Sequence, residues 1–429
     1  MSNLNPKRIY YACGAAIAVT GLSFAVRAGM LLPVSQDLQL STTQVALIAG
    51  AVFWGFPASL LSGGFLINSL GVSNLIRLAI FFHVLGLVLI ITAGSFWPMW
   101  WGMLLVGSGN GINEAVANPL VASLFPEEQR AKINHLHRFY PIGIAAGCLV
   151  VIGCQQLGWD WRIQNMLIFI PVLLYAWLYA FQPVGSLIQG FSKQAVRTFS
   201  RNVRKPLFPI LMIGMMGAAV SEAVPNQWMD LLLRNVLDNP LLILAFIALV
   251  MVLGRTMGAR WSGKFAPGLV LCAAGLMAAA GLWIMGASAH WIQAMAGAGI
   301  FAFGASLLWP NTLGYAMVLF RELGPLGMAV LGTAGSLGNA IALPQIGRWV
   351  DRLMAAQLPP GADLVQLRNA AEGSSDHAVY LATLEKAGQQ ILLMWGWVPL
   401  SMGIVYGISY LVRRQRAKSG TATMQQHGD

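Results

Sequence analysis

Hydrophobic positions along this chain come in runs long enough to cross a lipid bilayer, and they are broken by short polar connections. A spanning helix needs roughly 17–25 predominantly apolar residues. Twelve stretches meet that requirement, centred on 9–33, 43–67, 74–95, 97–124, 132–156, 162–182, 206–232, 240–257, 266–287, 290–319, 326–349 and 388–412. In hydrocarbon every backbone N–H and C=O must be paired within the protein, so apolar runs of this length predict helices. The pattern predicts an all-α membrane protein of twelve transmembrane helices in two six-helix half-domains. The first half-domain covers 1–182 and a basic linker 183–205. The second covers 206–412 and carries a polar insert at 350–387, and a tail occupies 413–429. Within the insert, Pro359-Pro360-Gly361 marks a turn, and Gly373-Ser374-Ser375-Asp376 marks a second turn with a helix cap. Two short amphipathic helices on the outer face are expected there. The first apolar run is itself long enough to span, so it reads as the first helix and not as a cleavable signal.

Composition agrees with this pattern. Hydrophobic residues make up 57% of the 429 positions and charged residues only 10%. A soluble chain carries about 25% charged residues and could not cover its surface with so few. The formal charge of +11 raises the question of nucleic acid. The distribution of that charge answers it. With the N-terminus inside and the spans alternating, 19 of the 26 Lys and Arg residues fall on the cytoplasmic side. The basic excess is therefore topogenic and lipid-facing, with no nucleic-acid partner implied. This reading places a multi-pass, monomeric protein in the inner (plasma) membrane with both termini cytoplasmic. Cys13, Cys148, Cys154 and Cys272 lie in or at the ends of apolar runs without metal-ligand spacing. They read as small buried hydrophobes, and no metal or cofactor is expected.

Charge inside a membrane costs from about 3 to over 10 kcal/mol, so intramembrane ionisable residues carry the functional signal. Three stand clearly inside spans: Arg27 in the first, Glu114 in the fourth and Glu222 in the seventh. A buried Arg27–Glu114 ion pair that locks two helices is the plain alternative to a proton site. The two readings overlap, because a pair that breaks on protonation is also a switch. An apolar setting favours a neutral carboxyl group and a nearby cation the charged one, which is the chemistry proton coupling needs. Arg27 keeps its proton, so it serves as a fixed counter-charge or as a fork for an anion.

The fourth span reads Gly107-Ser108-Gly109-Asn110-Gly111-Ile112-Asn113-Glu114-Ala115-Val116-Ala117-Asn118-Pro119. Glu114 and Asn118 share a helix face, and Pro119 frees a carbonyl about a turn upstream. The seventh span carries Ser221-Glu222-Ala223-Val224-Pro225-Asn226-Gln227-Trp228, and the tenth Trp309-Pro310-Asn311-Thr312. Polar side chains beside aromatic faces suit a sugar. The candidate solute-binding set is Asn118, Glu222, Asn226, Gln227, Trp228, Trp309, Asn311 and Trp54. Trp97, Trp100, Trp101, Trp159, Trp161 and Trp291 sit near predicted interfaces and read as belt residues. His137, in Asn134-His135-Leu136-His137-Arg138-Phe139-Tyr140-Pro141, is a candidate proton relay because histidine changes charge near neutral pH. A surface histidine at the cytoplasmic end competes with that reading. His83 has no polar sequence neighbours and reads as a packing residue.

These motifs resemble the major facilitator superfamily, and within it the fucose–galactose–proton symporter group. Glu114 to Pro119 is similar to that group's fourth-helix pattern of Glu, three small residues and Asn-Pro. Asn134 and His137, Glu222 with Trp228, and the run Leu343-Pro344-Gln345-Ile346-Gly347-Arg348-Trp349-Val350-Asp351 resemble further elements of it. The resemblance implies the twelve-helix facilitator fold, alternating access and proton-coupled sugar uptake with Glu114 as the protonatable residue. Two positions depart from the pattern. Gly29 stands before Met30-Leu31-Leu32-Pro33 where the sugar–proton members have Asp, and Asn68 stands where the superfamily's loop motif has Asp. Gly254-Arg255 with Gly258 and Arg260 is a partial counterpart of that loop motif after the eighth span. The function expected is secondary transport of a small polar solute, a sugar or sugar-like metabolite, coupled to protons. Two alternatives remain open: an anionic solute such as a sugar acid or carboxylate held by Arg27, and a membrane receptor or sensor that transports nothing. No phosphate loop, metal cluster or nucleophile triad points to an enzyme.

Overall fold

In the computed structural model the twelve apolar segments each coincide with one helix or with a broken pair of helices. The structure describes residues 4–40, 42–185, 187–188, 190–191, 193–232, 240–261, 264–320, 322, 324–359, 362–363, 366–367, 370 and 373–425. Inside helices, the side chains at 32, 42–43, 46, 195, 224–232, 240, 317–318, 324–325, 343–344, 346–347, 350–351, 413 and 416–425 lie outside that description. The first four spans are α1 (Pro6–Asp37), α2 (Thr42–Leu70), α3 (Val72–Ile91) and α4 (Phe96–Leu124). The fifth is split into α5 (Gln129–His137) and α6 (Phe139–Gln156), and the sixth into α7 (Trp161–Met166) and α8 (Phe169–Tyr179). A linker helix α9 (Lys193–Asn202) follows. The second half holds α10 (Leu207–Leu232), α11 (Pro240–Trp261), α12 (Pro267–Gly286), α13 (Trp291–Leu319) and α14 (Gly324–Gln357). It closes with α15 (Ser375–Trp395) and α16 (Trp397–Gln425).

Among the described residues, nine helical runs are long and apolar enough to cross a membrane. The fully described α4 is not one of them. Its length suffices, but Asn110, Asn113, Glu114 and Asn118 lower its hydropathy, and a helix with such a face needs protein or a cavity beside it.

Small residues set the packing. In the first half α1 lies on α6, and α4 lies between α2 and α3. A Cβ at Gly21 would strike the Tyr140 carbonyl, and one at Gly143 would strike the Ala18 carbonyl. That reciprocal arrangement lets two backbones meet where lipid offers no hydrophobic drive for association. In the second half α12 packs on α13 and α16, and α10 on α14. The halves meet where α11 crosses α5 and α6 and where α14 crosses α2. Phe24, Ala145 and Cys148 pack with Leu244 and Ala248 along that seam. The cysteines are free thiols, and Cys13, Cys148 and Cys154 are buried.

The insert differs from expectation. The eleventh span runs on to Gln357, and α15 begins at Ser375, whose neighbour Ser374 caps it by accepting from the His377 N–H. The cap is where the turn predicts it. The second helix does not end with the insert: it runs on into the twelfth span, Ser375–Val412 being one helical run of 38 residues, longer than the roughly 20 residues a bilayer core needs.

The linker is clamped between the halves. Gly64 accepts a hydrogen bond from the Phe191 N–H at 3.1 Å, and Asn68 donates to the Phe191 carbonyl at 2.7 Å. The Phe191 ring stands edge-on to Phe65 and packs with Leu326 and Ala329 of α14. An amide at 68 can donate to that carbonyl, whereas an ionised Asp could not.

Candidate functional site

A cavity of about 130 Å³ lies between the halves and touches α1, α2, α4, α5, α6, α10, α11, α13 and α14. Its polar lining is Thr20, Arg27, Asn110, Glu114, His137, Tyr140, Glu222, Arg255, Ser336 and Asn339, with Phe53, Phe56 and Trp309 as aromatic walls. Glu114 and Trp309 also border a second space of about 10 Å³ beside Leu60, Met328 and Gly332, enough for about one water.

The centre of the site is Arg255, which the sequence reading had placed among the cytoplasmic-end charges. It is 2% exposed. Its Nη2 donates to both carboxylate oxygens of Glu222 at 2.8 Å. Its Nε donates to the Ser306 carbonyl at 3.2 Å, and its Nη1 to the His137 carbonyl. Both carbonyls are vacant for one reason. A helical carbonyl at position i waits for the N–H at i+4, and proline has none. Pro310 stands four residues after Ser306, and Pro141 four after His137. Pro141 also falls just beyond the break between α5 and α6. Two prolines therefore create the acceptors, and one guanidinium from α11 bridges α5, α10 and α13.

Glu114 is held differently. Asn118, one turn on, donates to its Oε1 at 2.7 Å. The Asn118 side-chain oxygen Oδ1 stands 3.1 Å from His137 Nε2, and that nitrogen is 3.7 Å from Glu114 Oε1. The 3.1 Å contact makes Nε2 the donor, since an amide oxygen only accepts. A path of polar groups thus runs from Glu114 through Asn118 and His137 to Arg255 and Glu222, joining the carboxylates of the two halves.

Other expectations need correction. The Arg27–Glu114 pair is not formed: among the described residues Arg27 makes no ion pair, although both side chains line the same cavity. Its guanidinium lies over the rings of Phe24 and Phe53, at 5.2 and 5.1 Å from their centroids. His137 is buried and not at the surface. Trp54 faces outward: it is 59% exposed and continues a stripe with Leu47 and Phe65, while its neighbour Phe53 faces the cavity. Asn311 is buried and donates to the Leu307 carbonyl at 2.8 Å, so it satisfies its own helix and does not line the cavity. Glu222 and Trp309 line the cavity, and Asn118 borders the smaller space beside Glu114. The side chains of Asn226, Gln227 and Trp228 lie outside the described residues.

His83 also has a role the sequence concealed. Its Nε2 bonds Asn110 Oδ1 and its Nδ1 bonds the Tyr175 hydroxyl, both at 2.9 Å. This buried chain fixes Asn110 in the cavity wall.

The sequence profile of the Major Facilitator Superfamily matches residues 13–353. The chain belongs to that superfamily. It is thus a multi-pass membrane protein. Its fold is shared with the crystal structure of the E. coli fucose:proton symporter FucP, at a TM-score of 0.63 and 18% identity, covering 92% of this chain and 99% of that one. Among curated relatives, a probable chloroplastic anion transporter 6 of Arabidopsis thaliana is 26% identical over 24% of this chain and 20% of its own length. The facilitated glucose transporter member 10 of solute carrier family 2 from Mus musculus is 26% identical over 45% of this chain and 37% of its own. The chain therefore spans about a fifth to just over a third of the length of these relatives.

Proposed function

We propose that the protein is a secondary transporter of a small polar solute, a sugar or sugar-like metabolite, coupled to protons through Glu114 and working by alternating access. The observation that carries this reading is the setting of Glu114. It faces the cavity between the half-domains, an amide holds it, and a histidine is its only ionisable neighbour within ion-pairing distance among the described residues. Such a carboxyl group can gain or lose a proton without breaking a permanent ion pair. It also borders the small space on the far side of Trp309, so a proton bound there can be exposed to a second compartment when the halves rock. The cavity combines amide and hydroxyl groups with aromatic walls, the mixture that suits a hydroxylated ring. The fucose and glucose carriers among the similar proteins favour the same solute class. Half-domains at 1–182 and 206–412 around a basic linker, in an inner membrane with both termini cytoplasmic, complete the reading.

The test is uptake into liposomes reconstituted with the purified full-length chain. Labelled monosaccharides and their derivatives should accumulate when the lumen is alkaline and only equilibrate when the gradient is collapsed. Binding without accumulation under any gradient would refute transport and leave a receptor or sensor.

A further inference from the structure

Arg27 is the one charged group lining the cavity, among the described residues, for which the protein supplies no counter-charge or hydrogen-bonded partner. The residue is 3% exposed, about two thirds of the way along α1, and its Nε is buried without a hydrogen-bond partner. Phe24 and Phe53 offer their ring faces, which attract a cation but accept no strong hydrogen bond. The other titratable or charged groups lining the space are Glu114, His137, Tyr140, Glu222 and Arg255. Glu222 is committed to Arg255 in a two-pronged pair. That leaves Arg27 and Glu114, which are not paired with each other. Whenever Glu114 carries a proton, the cavity holds one positive charge in excess. Across the space the Asn339 side-chain oxygen is also buried without a partner.

We propose that Arg27 binds the carboxylate of the transported solute, whose class is then a hydroxylated monocarboxylate, such as a sugar acid. This rests on the transporter reading above and narrows it. Three features support it. A guanidinium presents parallel N–H groups that match a carboxylate fork, and a buried charge gains most from an opposite charge. A cavity of about 130 Å³ between the halves gives a small organic solute room beside Arg27. Asn339 needs a donor, which a solute hydroxyl supplies, while Arg27 needs an acceptor. A neutral sugar would satisfy Asn339 and leave the charge of Arg27 uncompensated. The anion also fits the coupling: the protonated cavity attracts it, and loss of the proton from Glu114 restores neutrality without it.

The experiment compares D-gluconate and D-glucuronate with D-glucose as ligands of the purified full-length protein, by thermal stabilisation and by liposome uptake. The acids should bind and accumulate and glucose should bind at least tenfold more weakly. Arg27→Gln should lower affinity for the acids at least a hundredfold, and Arg27→Lys, which keeps the charge but loses the fork, about tenfold. Gel filtration and the unliganded melting temperature report whether each variant folds. If Arg27→Gln misfolds, Arg27→Lys carries the test. Glucose transported as well as the acids, or acid affinity unchanged in a folded Arg27 variant, overturns the anion site and leaves the transporter reading standing. No binding or uptake of any of the three by the folded wild type overturns both.

Discussion

The two walls of the cavity treat their charges in opposite ways. On the second-half side, Glu222 and Arg255 neutralise each other in a two-pronged pair, and the remaining guanidinium N–H groups end on carbonyls that prolines left open. On the first-half side, Glu114 has an amide and a histidine, and Arg27 has two aromatic rings. Both walls bury a carboxylate and a guanidinium, so burial alone does not distinguish them. What differs is whether the protein supplies the counter-charge. A satisfied pair fixes helices in place, and an unsatisfied group leaves work for a proton or a solute.

The largest expected effect breaks the satisfied wall. Arg255→Gln leaves Glu222 buried without its cation and frees two carbonyls, and removing one partner of a buried pair costs about 3–5 kcal/mol. Unfolding in mixed detergent micelles should show a loss of that size. The double variant Glu222→Gln with Arg255→Gln should lose less than the two single variants added together. Arg27→Gln should be neutral or mildly stabilising, since it removes an unpaired charge. An equal loss for Arg255→Gln and Arg27→Gln would abolish the distinction between the walls.

Next in size is a functional loss with little structural cost. Glu114→Gln keeps an acceptor for Asn118 and cannot ionise. Stability should change by no more than about 1 kcal/mol, the scale of one hydrogen bond. Gradient-driven accumulation should fall at least tenfold while exchange of solute across the liposome membrane continues. Normal accumulation by this variant would move the coupling site elsewhere.

His137 should give a smaller effect of both kinds. His137→Gln keeps a donor toward Asn118 and leaves the backbone carbonyl that Arg255 uses, so stability should drop by about 1 kcal/mol. The pH dependence of uptake is the informative readout. A relay predicts a displaced or flattened profile, whereas a packing residue predicts the wild-type profile at a lower rate.

These contrasts show which parts of the molecule the sequence exposes. The helical apolar segments were legible because hydrocarbon imposes one rule on every residue of a segment, and a run of about twenty such residues leaves a plain record. Glu114 and Asn118 were legible too, being polar, four apart and on one helix. Arg255 was not, because it falls near the end of its apolar run and counts equally well as an interfacial charge. A signal for it was present in Pro141 and Pro310, which mark open carbonyls at His137 and Ser306, but nothing local says what fills them. His83 was hidden for the same reason: its partners Tyr175 and Asn110 are 92 and 27 residues away. The pairing of Arg27 with Glu114 rests on charge alone, and the structure instead pairs Arg255 with Glu222 and leaves Glu114 to Asn118 and His137.

The smallest expected effect concerns the tryptophans, and it separates residues that serve the cavity from those that only share its helices. A membrane helix is apolar on the side facing lipid and on the side facing its neighbours, so hydropathy does not say which way an aromatic points. Trp54 lies on the same outward stripe as Leu47 and Phe65, seven residues after one and eleven before the other, a spacing that keeps all three on one helix face. Its indole is exposed and does not line the cavity, so truncation removes no part of the cavity wall. Trp54→Ala should therefore change stability by no more than about 0.5 kcal/mol and leave the KM of uptake unchanged. Trp309 borders both spaces and packs its ring against Gly335. Trp309→Ala should raise KM several-fold, with a far smaller change in the rate at saturation, because the ring's contribution is to bind the solute. Equal effects at the two positions would mean that Trp54 reaches the cavity in another conformation of the transport cycle. The division between a lipid-facing and a solute-facing aromatic would then hold for one state only.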